Sequence, residues 1–458
     1  MALGRTTSRP VSSLGMGRFG TQTAGVALLL AYAVALLAIP SNVGLQIGTF
    51  VLSPARIVLG LLIVVVLWDG HLIGAVRDAP RAVLLGWALF LITAATTTVL
   101  YHSSQAISRF GSLVIEGGAL YVAAWYFARR DRSSGALQVA VIATTTIVAG
   151  TTLLLAVFGV QYGDLFRSVA GIATNHSADM RFGISRQEGS FSAPLFFATW
   201  LVGASLLVLP WLTAERRGRK LLAWSVWCVL LAATIATASR GGIVFLFAGA
   251  GLYFTVLRRP KTAAAMWALA LVSTLIVVGV SFPSLSSPAS VPHGGSGGGP
   301  TPIATRVPAS QVALERSTSL RIEGVKATVT VVREKPLFGW GLLSAPTVLS
   351  AATGKANYVD DTYVQILVEQ GLLGFLAFGL LVLATFWVAL RRPRSPVQLS
   401  RILAVLGVLG MCVLASFLSV TQGYAAFCLL LVLATVPSPA PLAEGHSFGG
   451  GPSQVPIS

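Results

Sequence analysis

The chain has 458 residues, 55% of them hydrophobic and only 10% charged, with a mean hydropathy of +0.79. A soluble domain carries about 25% charged residues, so this composition excludes one and indicates a polytopic membrane protein. A formal charge of +17 would suggest nucleic acid as a partner in a soluble chain. Here loop topology accounts for much of it, and no nucleic acid is expected.

The first apolar run, Ala24–Ile39, follows Arg5, Arg9 and Arg18 and so imitates a signal peptide. With many more apolar runs behind it, it reads as an uncleaved first span. A spanning helix needs about 20 mostly apolar residues. Twelve candidate runs follow one another at 22–39, 54–68, 82–100, 112–128, 136–158, 193–213, 221–237, 241–257, 263–281, 363–390, 401–420 and 423–436. The expected fold is all-α and polytopic, with about 12 transmembrane helices. Residues 1–281 would hold nine of them, with an outer loop at about 159–192. A long extracytoplasmic loop would occupy 282–362, three more spans 363–436, and a disordered cytoplasmic tail 437–458, which is polar and rich in Pro and Gly.

Basic residues orient this arrangement. With the N-terminus in the cytoplasm, the inner loops hold Arg77 and Arg81, Arg129 to Arg132, Arg216 to Lys220, Arg258 to Lys261, and Arg391 to Arg401. Together with the N-terminal arginines these are 19 of the 32 basic residues, concentrated in short segments. The remaining 13 spread over far longer outer segments. That asymmetry is the positive-inside pattern of a plasma-membrane protein with both termini cytoplasmic.

The outer loop at 159–192 is polar and holds Arg167, His176, Asp179, Arg181, Arg186 and Glu188. The loop at 282–362 opens on a Gly/Ser/Pro tract that cannot form a packed element. Gln311–Lys335 then alternates apolar and basic residues as an amphipathic helix on the outer membrane surface would. Its Arg316, Lys326, Arg333 and Lys335 suit anionic lipid headgroups. The cysteines Cys228, Cys412 and Cys428 all lie in apolar runs, so no disulfide or metal framework is expected.

Several polar residues could carry chemistry. Arg240 lies in ATASRGG at the outer ends of two apolar runs. A guanidinium there should face a wet cavity and an anion, and Gly241 and Gly242 would let backbone amides approach the same anion. An arginine snorkelling to the interface is the plainer alternative. Arg186, in RQEGSFSAP, has the fixed, always-charged fork that suits phosphate oxygens, or it is a solvated loop charge beside Glu188. Asp360 and Asp361 stand together before the run Tyr363–Leu390, where one could act as a general base and the other cap the helix. Glu116 sits inside an apolar run and is a functional candidate, or a group hydrogen-bonded to a neighbouring helix. His176, His102 and His293 could supply a base but read more simply as surface residues.

The stretch Pro336–Gly374 draws these together. Gly339, Gly341, Gly371 and Gly374 punctuate its ends, and Arg321 precedes Pro336 by fifteen residues. This resembles the signature of the O-antigen ligase/polymerase superfamily. There an arginine opens a helix ending in a PLxGxG-like turn, and a loop leads to a His-Asn or Asp-Asn pair followed by xYLxxLxExGLLG. Here PLFGWG, then Asp360-Asp361, then Tyr363, Gln365, Leu367, Glu369, Gly371, Leu372, Leu373 and Gly374 fit that order. The pair reads Asp-Asp where many ligases carry histidine. RQEGSFSAP is similar to the family's RxxGxFxxPN element with Leu195 in place of asparagine, and the family has a comparable SRG element.

The resemblance implies an inverting glycosyltransferase without metal or other cofactor. It would move or polymerise glycan from a polyprenyl-diphosphate-linked donor onto a glycan or lipid acceptor at the outer face, among membrane lipids. It implies Asp360 as base. Arg186, Arg240 and Arg321 would hold the diphosphate, Arg240 and Arg321 also stabilising its departure, with Asp361 and Tyr363 beside the substrate. A transporter of a small solute or inorganic carbon, known from a related branch, is the rival function. A scaffolding protein is the other, and it leaves the arginines unexplained.

Overall fold

The computed structural model describes residues 15–47, 50–68, 72–129, 133–166, 180–181, 184–281, 323–354, 361–392 and 395–437. Helices occupy each of the twelve apolar runs. They begin with α1 (Gly15–Ala38), α2 (Pro54–Trp68), the short α3 (Leu72–Asp78) and α4 (Arg81–Leu100). Next come α5 (Ser104–Leu113), joined through a π-helical turn (Val114–Ala119) to α6 (Leu120–Ala128), and then α7 (Ser133–Val157). The series continues with α8 (Pro194–Leu212), α9 (Arg217–Ala236), α10 (Arg240–Val256) and α11 (Pro260–Ser281). After α12, described over 323–334, come α13 (Ala345–Thr353), α14 (Thr362–Leu390), α15 (Pro396–Met411) and α16 (Thr421–Thr435). Two small antiparallel hairpins, Leu45–Ile47 with Phe50–Leu52 and Met180–Arg181 with Ile184–Ser185, lie in the connections.

Among the described residues six helices are long and apolar enough to cross a membrane: Arg81–Leu100, Ser104–Ala128, Ser133–Val157, Pro194–Leu212, Arg217–Ala236 and Thr362–Leu390. Six more apolar helices are shorter. The described residues, apart from the hairpins and loops, are helical, as in an all-α, multi-pass membrane protein. Several expected boundaries shift. The run at 112–128 belongs to a helix that starts at Ser104, and the run at 401–420 belongs to one that starts at Pro396 and stops at Met411.

Local chemistry sets these starts. Ser103, Ser239 and Ser395 each accept a hydrogen bond from the backbone N–H three residues on, and Pro396 fills the first helical position of α15. Residues of α8 are 83% buried within its apolar window, against 28% for α9, so α8 lies at the centre and α9 faces lipid. From Gln422 to Thr435 every residue of α16 is buried. Around these, α15 and α9 pack on α8, α4 runs along α14, and α10 pairs with α11. Leu61, Val64, Leu67, Leu271, Leu275 and Ile276 point away from the bundle, as lipid-facing residues do.

One expected loop charge is internal. Arg401 is fully buried, and its guanidinium donates to Gln138 Oε1 (2.8 Å) and to the carbonyls of Ser134 and Leu433 (3.3 Å each). It satisfies carbonyls at the C-terminal end of α16 that would otherwise be orphaned.

Candidate functional site

The Pro336–Gly374 stretch folds as two segments joined by backbone hydrogen bonds. Helix α14 breaks at Gly371, whose φ of 65° and ψ of −165° are open only to glycine. The groups freed by the break are met by PLFGWG. Trp340 N and Gly341 N donate to the carbonyls of Val368 and Glu369 (2.9 Å each), while Leu372 N and Leu373 N donate to those of Pro336 (2.8 Å) and Leu337 (3.2 Å). The contact is so close that a Cβ on Gly371 would lie 2.4 Å from the Leu337 oxygen, and one on Gly339 2.4 Å from the Val368 oxygen. These glycines therefore serve a backbone-to-backbone junction, beyond simple turns.

Glu369 anchors the same junction. Its buried carboxylate accepts from Gln365 Nε2 (2.9 Å) and from the backbone N–H groups of Leu343 and Ala345. The second of these opens α13, where an anion complements the helix dipole. Lys335, expected at lipid headgroups, instead lies over the rings of Tyr101 and Trp340, with Nζ 4.2 and 4.0 Å from their centroids. Those cation–π contacts fasten the end of α12 to the start of the junction.

Asp361 is the N-cap of α14: its Oδ1 accepts from Tyr363 N (2.8 Å) and Val364 N (3.3 Å). Thr362 N donates to the Cys412 carbonyl (3.0 Å) and its hydroxyl to that of Ala415 (2.7 Å), while Tyr363 donates its hydroxyl to the Leu409 carbonyl (2.8 Å). The expected substrate contacts Asp361 and Tyr363 thus hold the start of α14 against the end of α15. Asp360, Arg321, His176, His293 and Arg316 lie outside the described residues.

Arg186 is held at the turn that leads into Arg240. Arg186 Nε donates to the Thr237 carbonyl (2.9 Å), and the next residue, Gln187, donates its N–H to the Ala236 carbonyl (3.2 Å). Arg186 therefore sits on the C-terminal end of α9, three residues before Arg240 opens α10. Ser239 caps α10 by accepting from Gly242 N (3.2 Å), and Gly241 lies against Leu414 and Met411. The starts of α10 and α14 thus both abut the segment from Leu409 to Ala415. Arg240 and Asp361 each immediately precede a residue that touches it.

A second cationic place had no counterpart in the sequence reading. Arg56, in the first turn of α2, donates through Nε to Glu116 in the π turn and through Nη1 to the Val51 carbonyl (2.5 Å). Glu116 is thereby partnered across helices, the alternative to a catalytic role. Arg109 on α5 donates to the Leu418 carbonyl (2.6 Å) and the Thr421 hydroxyl (3.4 Å). Both arginines line an open cleft of about 370 Å³, with Gln105, Ser108 and Ser112 along one wall and Leu343 above. The signal was present, since residues 105, 108, 109 and 112 share one helical face. It lay in a stretch too polar to count as a span. Among the described residues no group of three or more His, Cys, Asp or Glu side chains could hold a metal ion.

These features define a multi-pass membrane protein with arginines at helix ends and a broken helix clasped by a glycine-rich turn. Residues 224–379, about a third of the chain, match the family model described as O-antigen ligase. The match covers SRG, PLFGWG and the break in α14. It supports the O-antigen ligase/polymerase superfamily, and with it a glycosyltransferase-type membrane enzyme acting on lipid-linked glycans. No curated protein matches the chain.

Proposed function

We propose that the protein transfers or polymerises glycan from a polyprenyl-diphosphate donor onto an acceptor hydroxyl at the outer face of the plasma membrane. The observation that carries this reading is the bond from Arg186 to the Thr237 carbonyl, three residues before Arg240, whose helix start lies beside the segment from Leu409 to Ala415 on which α14 begins. Two guanidiniums near the first turn of a helix are suited to a diphosphate, since arginine forks match phosphate oxygens and the helix start adds partial positive charge. Arg321 adds the third cation implied by the motif.

In the reaction the acceptor oxygen bonds to the anomeric carbon from the face opposite the diphosphate, inverting it. The bond from that carbon to the phosphate oxygen breaks, its electron pair leaves with the polyprenyl diphosphate, and the acceptor's proton passes to Asp360. Arginines that stabilise the growing negative charge do the work a divalent cation does elsewhere. Their loss should lower rate as well as affinity.

Arg240 provides the test. Arg240→Lys keeps the charge but removes the two-pronged contact, and Arg240→Ala removes both. A lost charge-assisted hydrogen bond costs about 1.5–3 kcal/mol, or tenfold and more in rate or affinity. Transfer from a lipid-linked oligosaccharide by purified protein should fall at least tenfold in Arg240→Lys and further in Arg240→Ala. Lys326→Ala, on the exposed side of α12, should cost little. A product ladder would mark a polymerase, and a single addition a ligase. Equal, mild effects at Arg240 and Lys326 with matched expression would return Arg240 to an interfacial anchor.

A further inference from the structure

The cleft between α5, the α1–α2 connection and the start of α16 is separate from Arg186 and Arg240, neither of which lines it. Its volume of about 370 Å³ falls within the range of small-molecule sites, roughly 300–1,000 Å³. The stripe Gln105, Ser108, Arg109 and Ser112 runs along α5 for about 10 Å. Asn42, Arg56 and Thr421 face it. A continuous row of amide, hydroxyl and guanidinium groups costs free energy in an apolar chain unless water or a polar ligand meets it.

The charges fix the sign of that ligand. Among the described residues no carboxylate lines the cleft, while two arginines do. Glu116 offsets Arg56 from behind. Arg109 has neutral hydrogen-bond partners, the Leu418 carbonyl and the Thr421 hydroxyl, and the carboxylates of Glu369 and Glu116 act on it only through space, from outside the cleft lining. The length of the stripe fixes the rest. A bare phosphate or a lipid headgroup would engage the arginines alone, whereas hydroxyl and amide groups along about two turns suit a chain of hydroxyls. Leu343, held in the left-handed region at φ 64° with its N–H on Glu369, closes the cleft from the junction side.

We propose that this cleft binds an acidic saccharide, with Arg109 meeting the sugar carboxylate and Gln105, Ser108 and Ser112 meeting its hydroxyls. That this saccharide is the acceptor rests on the glycosyl-transfer reading; the binding itself does not.

Calorimetric titration of the detergent-solubilised full chain with cellobiouronic acid and with cellobiose tests it. The acidic disaccharide should bind about tenfold more tightly than the neutral one. Gln105→Glu, a near-isosteric change on an exposed side chain, should abolish that preference by placing a negative charge in the cleft. Arg109→Gln should do the same, and Arg240→Lys should leave it intact. Equal binding of the two sugars, or a preference that survives Gln105→Glu, overturns the proposal. So does a preference lost in Arg240→Lys, or displacement of the disaccharide by phosphatidylglycerol at equal concentration, which would mark a headgroup site. Saccharide binding as expected with no transfer from a lipid-linked donor would count against the transferase reading alone. Normal transfer with no acidic preference would count against the cleft alone.

Discussion

Two neighbouring carboxylates have different standing at the mouth of α14. Asp361 spends its side chain on the N–H groups of Tyr363 and Val364, which leaves Asp360 as the family-position candidate for the base. Asparagine caps a helix about as well as aspartate does but accepts no proton at working pH. Asp361→Asn should therefore keep both stability and transfer, and Asp361→Ala should cost about 1 kcal/mol of stability. Asp360→Asn should abolish transfer while abundance and thermal melting stay unchanged. Activity retained in Asp360→Asn and lost in Asp361→Asn would move the base by one residue. The sequence offered cap and base for this pair and could not divide them, because which carboxylate faces the helix start depends on the chain's direction of entry. Tyr363 was less legible still. Its hydroxyl reaches the Leu409 carbonyl, a partner 46 residues away that no local pattern encodes.

At the scale of elements, hydrophobicity located the helices because a run of apolar side chains of that length has few other stable forms in a bilayer. It did not locate the break in α14. The run Tyr363–Leu390 reads as one continuous span, and Gly371 within it resembles Gly379 in sequence. The two differ in backbone conformation, left-handed at Gly371 alone, and in what the fold brings near them. Nothing lies within 4 Å of a Cβ built on Gly379, whereas one on Gly371 would meet the Leu337 carbonyl at 2.4 Å. Gly379→Ala should be neutral or stabilise by about 0.5–1 kcal/mol, the ordinary helix-propensity gain. Gly371→Ala should force a left-handed alanine and separate PLFGWG from VEQGLLG, lowering the melting temperature and cutting transfer by tenfold or more. Similar behaviour of the two alanine variants would mean the junction is dispensable. The same limit explains the missed cleft: α5 begins in SQAISRFGSL, and a search for apolar runs discards the polar face that the cleft uses.

Taken as a whole, the molecule keeps its chemistry-bearing groups at one end. Arg56 opens α2, Arg109 lies in α5, Arg240 opens α10, Asp361 caps α14 and Thr421 opens α16. In the twelve-span reading every one of these positions is an outer end, since the chain there has just crossed outward or is about to return. The arginine-rich segments at Arg77 and Arg81, Arg216 to Lys220, and Arg258 to Lys261 fall at the opposite ends of the same helices. Burial of Arg401 removes one residue from that count and leaves the asymmetry standing. The excess of basic residues in the short segments at one end is what the positive-inside rule would use to orient the bundle. Cysteine labelling in intact cells reads it directly. Cys412 and Cys428 are buried and Cys228 is exposed, so a Cys228→Ser background leaves little native reactivity. In that background His102→Cys, an exposed position between α4 and α5, should react with a membrane-impermeant maleimide. Gly218→Cys, exposed at the start of α9, should react only after the membrane is opened. The reverse pattern would turn the bundle over and place both the cleft and the Arg186–Arg240 pair in the cytoplasm, on the wrong side for an outer-face glycan donor. Labelling of both sites in intact cells would mean that an odd number of crossings no longer separates them, and the twelve-span count would fall with it.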